Sequence, residues 1–306
     1  MDYQEFKTDI IDILRDFYGK DAMVTVIDVL KNNGVRYDSV SIFFTDHDEK
    51  VIPAIYLNGL YQQYAVGDMT LEDCVGEIIQ LRERNNHPED ICQIIGNLWD
   101  WSFVKDNVYP ALLSTEENHE LLECLVTRTF LDLSVVYIVR MTMADGGLGS
   151  VKINKLLFEQ YGISREELQE KAIMNLEKDD YKLVNLVDTI KSILEEDMPK
   201  QCSEYLSDIL AEPVKMYVLT NAFKLYGAAG ILSSNFLREN SGGRNYFILP
   251  SSIHETIFVP AEEGMSQKEF DNMVKEINTT QLSAEELLAN HSYYYDTLSG
   301  EIQIYQ

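Results

Sequence analysis

The chain has 306 residues, 45% of them apolar, and carries 25 Lys and Arg against 51 Asp and Glu, a net charge of −26. Disorder needs low hydrophobicity as well as high charge, so this composition argues for a folded core of one large domain or two ordinary ones. The charge argues against direct binding to nucleic acid or to an anionic membrane, because a like-signed field repels both.

The acidity is not a tail. Residues 1–110 carry 9 basic and 20 acidic groups (9 − 20 = −11), residues 111–205 carry 10 and 18 (−8), and residues 206–306 carry 6 and 13 (−7). Such a spread keeps a protein soluble and suits cationic partners. Cys74, Cys92, Cys124 and Cys202 form no C-x-x-C motif, and Cys74 and Cys124 sit beside Val75 and Leu125 in amphipathic patterns, as small apolar side chains. The acidic start Met1-Asp2-Tyr3-Gln4-Glu5-Phe6 lacks a signal-peptide pattern, and no run approaches the ~20 apolar residues of a membrane helix. The expected setting is cytoplasmic.

In chain order, Phe6, Ile10, Ile13, Leu14 and Phe17 repeat at helical spacing, closed by Gly19. Ala22 to Leu30 reads as a continuation or a second short helix, and Gly34 breaks it. Tyr37 to Thr45 alternates as a strand, the acidic stretch from Thr45 to Glu49 reads as a turn, and a second strand runs from about Val51 to Leu57. Thr70 with Asp73 caps a helix whose buried face is Leu71, Val75, Ile78, Ile79 and Leu81. The middle reads as mainly helical: about Pro88 to Asp106 (with Trp99 and Trp101 in its core), Glu116 to Arg128, Ser164 to Leu176 and Leu183 to Glu195. It is interrupted by a buried strand within Asp132 to Met143 and a loop from Ala144 to Gly149. From Pro213 onward the expected elements are a strand at Met216 to Thr220, a helix from Gly227 to Glu239 and a turn at Asn240 to Gly243. A strand pair follows at Tyr246 to Leu249 and Thr256 to Val259. Ser266 with Glu269 and Ser283 with Glu286 cap two helices, and a terminal hairpin joins Ser292 to Asp296 with Glu301 to Tyr305. The resulting class is α+β: N-terminal module 1–110, mainly helical middle 111–205 and C-terminal module 206–306, with the last boundary near residue 205.

Residue types that carry chemistry concentrate in Leu249-Pro250-Ser251-Ser252-Ile253-His254-Glu255, with Pro260 beyond. A hydrolase would use Ser251 or Ser252 as nucleophile and His254 as base. In an extended segment, however, Ser252 and His254 point the same way with Cβ atoms ~6–7 Å apart, and Glu255 faces away from the ring it would orient. A turn in which the serines bond backbone groups and His254 acts as a tether accounts for the same residues. Asp46-His47-Asp48-Glu49 has metal-ligand types without calcium-loop spacing, His87, His119 and His291 stand alone, and Gly146, Gly147 and Gly149 do not form a phosphate loop. No metal and no cofactor are expected. Tyr226-Gly227-Ala228-Ala229-Gly230 reads as close packing of a turn on a sheet, and Tyr61, Tyr64 and Tyr293-Tyr294-Tyr295 as recognition surface or as alternately buried sheet residues.

Two segments together resemble a known bacterial family, the domain of unknown function 5688. One is Pro53-Ala54-Ile55-Tyr56-Leu57-Asn58-Gly59-Leu60-Tyr61-Gln62-Gln63-Tyr64, running into Gly67 and the helix capped by Thr70. The other is Tyr217-Val218-Leu219-Thr220-Asn221, Tyr226-Gly227-Ala228-Ala229-Gly230-Ile231-Leu232 and then Leu249 to Glu255. The resemblance implies a cytoplasmic bacterial protein of α+β design and assigns no catalytic residue. The function read from these features is a non-enzymatic module that binds another protein through an acidic and aromatic surface. The alternatives are a hydrolase-like enzyme using Ser251, Ser252, His254 and Glu255, and an acidic mimic of nucleic acid.

Overall fold

The computed structural model describes residues 1–45, 52–84, 95–142, 147–187, 215–263 and 266–304. Cα packing divides the chain into two compact units, residues 1–100 with 141–149 and residues 101–140 with 150–306. Both units combine helices with antiparallel sheet, so the class is α+β. The expected boundary near residue 205 lies outside the described residues.

In the first unit, helix α1 (Tyr3–Tyr18) starts at Asp2, whose carboxylate accepts from the Gln4 and Glu5 amides while Glu5 reaches back to the Asp2 amide. The helix buries Phe6, Ile10 and Leu14 and stops at Gly19, whose φ of 58° suits a residue without Cβ. Residues 22–30 are then a strand, β1 (Ala22–Leu30), and not helix. It pairs in antiparallel register with β2 (Arg36–Phe44) from Ala22↔Phe44 to Leu30↔Arg36. Asn33 and Gly34, both at positive φ, turn the chain between them. This hairpin accounts for the correction, because Met23, Val24, Val26, Ile27 and Val29 favour a pleated surface once a partner strand follows across the short connection 31–35.

The short strand β3 (Ile55–Tyr56) flanks β2 on its other side, through Ser39↔Tyr56 and Val40↔Ile55. Helices α2 (Leu57–Val66) and α3 (Leu71–Arg84) follow. Thr70 and Asp73 form the expected reciprocal cap. Val24, Val40, Ile42, Ile55, Leu57, Cys74, Val75 and Ile78 build one core with the buried face of α1, and Tyr61 and Tyr64 pack on it against Phe6.

In the second unit, α4 (Trp101–Asn107) leads into β4 (Val108–Ser114). The helix expected to Arg128 ends at Cys124 as α5 (His119–Cys124), and the chain goes on as β5 (Thr127–Phe130). Central strand β6 (Leu133–Thr142) pairs with β4 and β5 and is buried from Leu133 to Met141, as its unbroken apolar run requires. Beside it runs β7 (Leu148–Lys152), which pairs with β6. Helices α6 (Lys155–Tyr161) and α7 (Arg165–Lys178) follow, the latter capped by Ser164. Asn175 of α7 donates to the carbonyls of Lys105 and Val108, which ties α7 to the start of β4.

The second sheet of this unit runs β13-β12-β10-β11-β9-β8. Its strands are β8 (Tyr181–Asn185), β9 (Tyr217–Asn221), β10 (Tyr246–Leu249), β11 (Thr256–Pro260), β12 (Tyr293–Asp296) and β13 (Glu301–Gln303). Residues 183–185 are therefore strand where a helix was expected. The helix expected from Gly227 is a 3-10 turn (Gly227–Leu232) that gives way at Ser233 to α8 (Ser234–Asn240). Helix α9 (Gln267–Thr280), started by the Ser266/Glu269 box, packs Phe270 and Val274 on Phe247, Leu249 and Val259. Among the described residues no helix is long and apolar enough to cross a membrane.

Candidate functional site

The segment between β10 and β11 holds Ser251, Ser252, His254 and Glu255, and the fold uses their polar atoms locally. The Ser252 amide donates to the Glu255 carbonyl at 3.1 Å and the His254 amide donates to Ser252 Oγ at 3.0 Å. Ser251 Oγ donates to Glu255 Oε1 at 3.4 Å. Ser252 and Ile253 are buried, with Ile253 inserted as an apolar plug.

This connector clamps two neighbours. Ala228 N donates to the Ile253 carbonyl and Thr220 Oγ1 to the His254 carbonyl, which docks the 3-10 turn that follows β9. A Cβ at Gly227 would lie 2.4 Å from the His254 carbonyl oxygen and 2.7 Å from Thr220 Oγ1, so the approach requires glycine. At Gly230 a Cβ would meet the Tyr181 ring at 2.6 Å. On the other side Ile253 N donates to the Glu286 carbonyl, in the short turn Ala284–Glu286.

His254 is held from both ends. Its Nδ1 accepts the Tyr226 amide at 3.2 Å, which places the ring proton on Nε2, 3.7 Å from Glu286 Oε1. Burial pushes its pKa below the ordinary imidazole value, against the upward pull of Glu286 and Glu255, so the ring is neutral at pH 7. A general base needs a free lone pair aimed at the nucleophile. Here the lone pair receives a backbone amide, and Ser252 Oγ serves the backbone of His254. The four residues come together as a structural clasp.

A different cluster joins residues the sequence kept apart. The tight turn Leu131-Asp132 between β5 and β6, with Leu131 at φ 55°, presents Asp132 to the last hairpin. Asp132 Oδ2 lies 2.8 Å from His291 Nε2, and Tyr293 OH donates to Asp132 Oδ1 at 2.9 Å. His291 Nδ1 faces the Ser292 carbonyl at 3.0 Å, so both ring nitrogens meet acceptors and the ring favours the imidazolium. The hydrogen bond to Asp132 is the main cause that raises its pKa, against burial. Burial alone would raise Asp132, but the bonds from His291 and Tyr293 outweigh it and bring it down. With no free nitrogen, His291 is a tether.

Elsewhere in the same unit, Arg140 Nη2 meets Asp179 Oδ2 at 2.6 Å, both side chains being buried, and the guanidinium stacks 3.2 Å above the Tyr109 ring. Arg140 Nε and Nη1 are buried with no hydrogen-bond partner. Among the described residues no group of three or more His, Cys, Asp or Glu could hold a metal ion, and the segment Asp46 to Glu49 lies outside them, as does His87.

The tyrosines considered as recognition surface are largely core. Tyr293 and Tyr295 are buried under the second sheet while Tyr294 is half-buried, and Tyr61 and Tyr64 pack on Phe6. Cys74 is buried as expected, whereas Cys124 and Trp99 are exposed.

What the sequence reading missed is the outer edge of β1. The bonds Thr45 N to Asp21 O and Lys31 N to Val35 O bracket the β1–β2 ladder at odd-numbered β1-side positions. Antiparallel pairs alternate, so Met23, Thr25, Ile27 and Val29 bond to β2, while Val24, Val26, Asp28 and Leu30 aim their N–H and C=O outward. No other strand among the described residues pairs with that edge. The Val24 carbonyl receives a long 3.5 Å contact from Arg15 Nη2, and the outward amides of Val24, Val26, Asp28 and Leu30 meet no hydrogen-bond partner among the described residues. Met23 and Ile27 stand 55% and 47% exposed on the sheet face away from α1.

The model of a family of unknown function, DUF5688, matches residues 3–297, and the chain belongs to that family. No curated protein and no solved structure matches it.

Proposed function

We propose that this member of the DUF5688 family is a non-enzymatic protein-interaction module that takes up partners by strand addition at the open edge of β1. The observation that carries this reading is the nine-residue edge strand whose outward amides meet no hydrogen-bond partner among the described residues. Soluble proteins ordinarily protect such edges with proline, lysine, a bulge or a covering element, because an unpaired edge is a template for another strand. In Ala22–Leu30 there is no proline and no lysine, and its register with β2 runs without a bulge. Strand addition draws affinity from main-chain bonds and specificity from alternate side chains, here Met23 and Ile27. The clasp geometry of Ser251, Ser252, His254 and Glu255 weighs against a catalytic role for that segment.

The test compares three tagged baits in extract of the source cells: wild type, Val26→Pro, and the Ser251→Ala/Ser252→Ala/His254→Ala triple variant. Proline at Val26 removes an outward N–H and leaves the β1–β2 ladder intact. Partners retained by wild type and by the triple variant, and reduced tenfold or more on Val26→Pro, are the expected result. Equal retention by wild type and Val26→Pro would overturn the reading.

A further inference from the structure

Resting on the reading of β1 as a binding edge, we propose that its occupant is a second copy of this chain, joined by antiparallel β1–β1 pairing about a two-fold axis at Thr25. Only registers that oppose even-numbered residues let the outward N–H and C=O groups meet. With the axis at Thr25, Val24 faces Val26 of the second copy, Ala22 faces Asp28, and Met23 faces Ile27. The last pair brings the two most exposed apolar side chains of the strand together at each end of the contact, in non-hydrogen-bonded positions where cross-strand side chains lie closest.

The strand's own charge gives a basic peptide nothing to recognise. The strand holds one charged residue, Asp28, which is already ion-paired with Arg36 of β2, and this register keeps the two Asp28 side chains at opposite ends. The strip is therefore neutral and apolar on a chain of net charge −26 and offers nothing that would select a cation. The pairing turns a three-stranded sheet into a six-stranded one. The overlap of roughly seven residues, at ~3.3 Å each, is short beside the ~800 Å² per partner of a standard interface, so the dimer is concentration-dependent.

Sedimentation velocity on the full chain between about 1 and 100 μM reads this directly, with an expected monomer–dimer transition. Self-association of two acidic chains strengthens with added salt, because screening relieves their repulsion, whereas pairing with a cationic partner weakens. Thr25→Cys, in a Cys124→Ser background, places the introduced thiols on the axis, where the ~4.5 Å Cα separation of a non-hydrogen-bonded pair permits a disulfide. The expected product under mild oxidation is a covalent dimer linked at position 25 by peptide mapping, with Val29→Cys in the same background as the unlinked control. Val26→Pro abolishes the dimer while its circular dichroism matches wild type.

A monomer at every concentration overturns the inference, and so does a dimer that persists in Val26→Pro or links equally through position 29. A monomeric chain that still captures a foreign partner in a Val26-dependent way would sink the second copy and leave the interaction module standing. Loss of Val26 dependence in both experiments would sink both.

Discussion

The His291–Asp132 pair gives the second unit a pH dependence whose sign the structure fixes. The raised His291 pKa means that folding favours the imidazolium. Its contribution is fully present below the unfolded value near 6.5 and is lost as pH rises through the raised folded value. Asp132 is depressed, so its contribution is present above about 3.9 and is lost as pH falls through the lowered folded value. The pair is therefore at full strength between roughly pH 4 and 6.5. Its size is limited by solvent, since the side chains are 28% and 41% exposed, and a pair of that kind contributes about 1 kcal/mol or less.

The variant that isolates the charge is Asp132→Asn, whose amide oxygen still accepts from Tyr293 OH. We expect it to cost about 1 kcal/mol at pH 5.5 and close to nothing at pH 9, by urea unfolding of the second unit followed by near-ultraviolet circular dichroism. In parallel, the His291 ring carbon signals in nuclear magnetic resonance should titrate above 6.5 in wild type and move down in the variant. Asp132→Ala should cost a further 1–3 kcal/mol at both pH values, because it also orphans the buried Tyr293 hydroxyl. Equal losses for Asp132→Asn at pH 5.5 and 9, or a His291 that titrates at or below 6.5 in wild type, would refute the reasoning.

Gly227→Ala should destabilise the second unit by about 1–3 kcal/mol in denaturant unfolding, because the new methyl meets backbone oxygen that cannot give way. Arg140→Met should cost about 3–5 kcal/mol by leaving the buried Asp179 carboxylate unpaired, and the Arg140→Met/Asp179→Leu double variant should recover much of that loss in the same assay. Under native conditions Cys124 should react with a maleimide in minutes, whereas Cys74, buried and with its thiol pKa raised by that burial, should react only after unfolding; mass mapping of labelled peptides separates the two.

The elements legible in the sequence are those whose local signals and tertiary environment agree. The caps at Thr70 and Ser266 open helices as expected, Ser164 caps another, and the apolar run inside Leu133–Thr142 is the central strand, whereas Ser283 with Glu286 opens only the 3-10 turn Ala284–Glu286. The Gly227 and Gly230 approaches follow the expectation of small residues packed against a sheet. The helices expected at Ala22–Leu30 and from Leu183 failed for one physical reason. Each is strand because of a partner, β2 or β9, and a five- to nine-residue apolar pattern fits a short helix about as well until the partner is identified. For β1 a usable signal existed in Asn33-Gly34, which places two positive-φ residues where a hairpin needs them.

Candidate chemistry followed the opposite rule. Ser251, Ser252, His254 and Glu255 drew attention because reactive residue types lay within five positions, yet closeness along the chain is what lets a turn satisfy its own backbone. The contacts that join distant elements, Asp132 with His291 across 159 positions and Arg140 with Asp179 across 39, left no local trace. The same holds for the β1 edge, which is defined by the absence of a neighbouring strand among the described residues. In this chain the short-range cluster became a clasp, and the surface with unmet bonding capacity sits in a stretch with a single ionisable side chain, Asp28. A search for function by residue type passes over such a strand, whereas following each backbone donor to its acceptor leads to it.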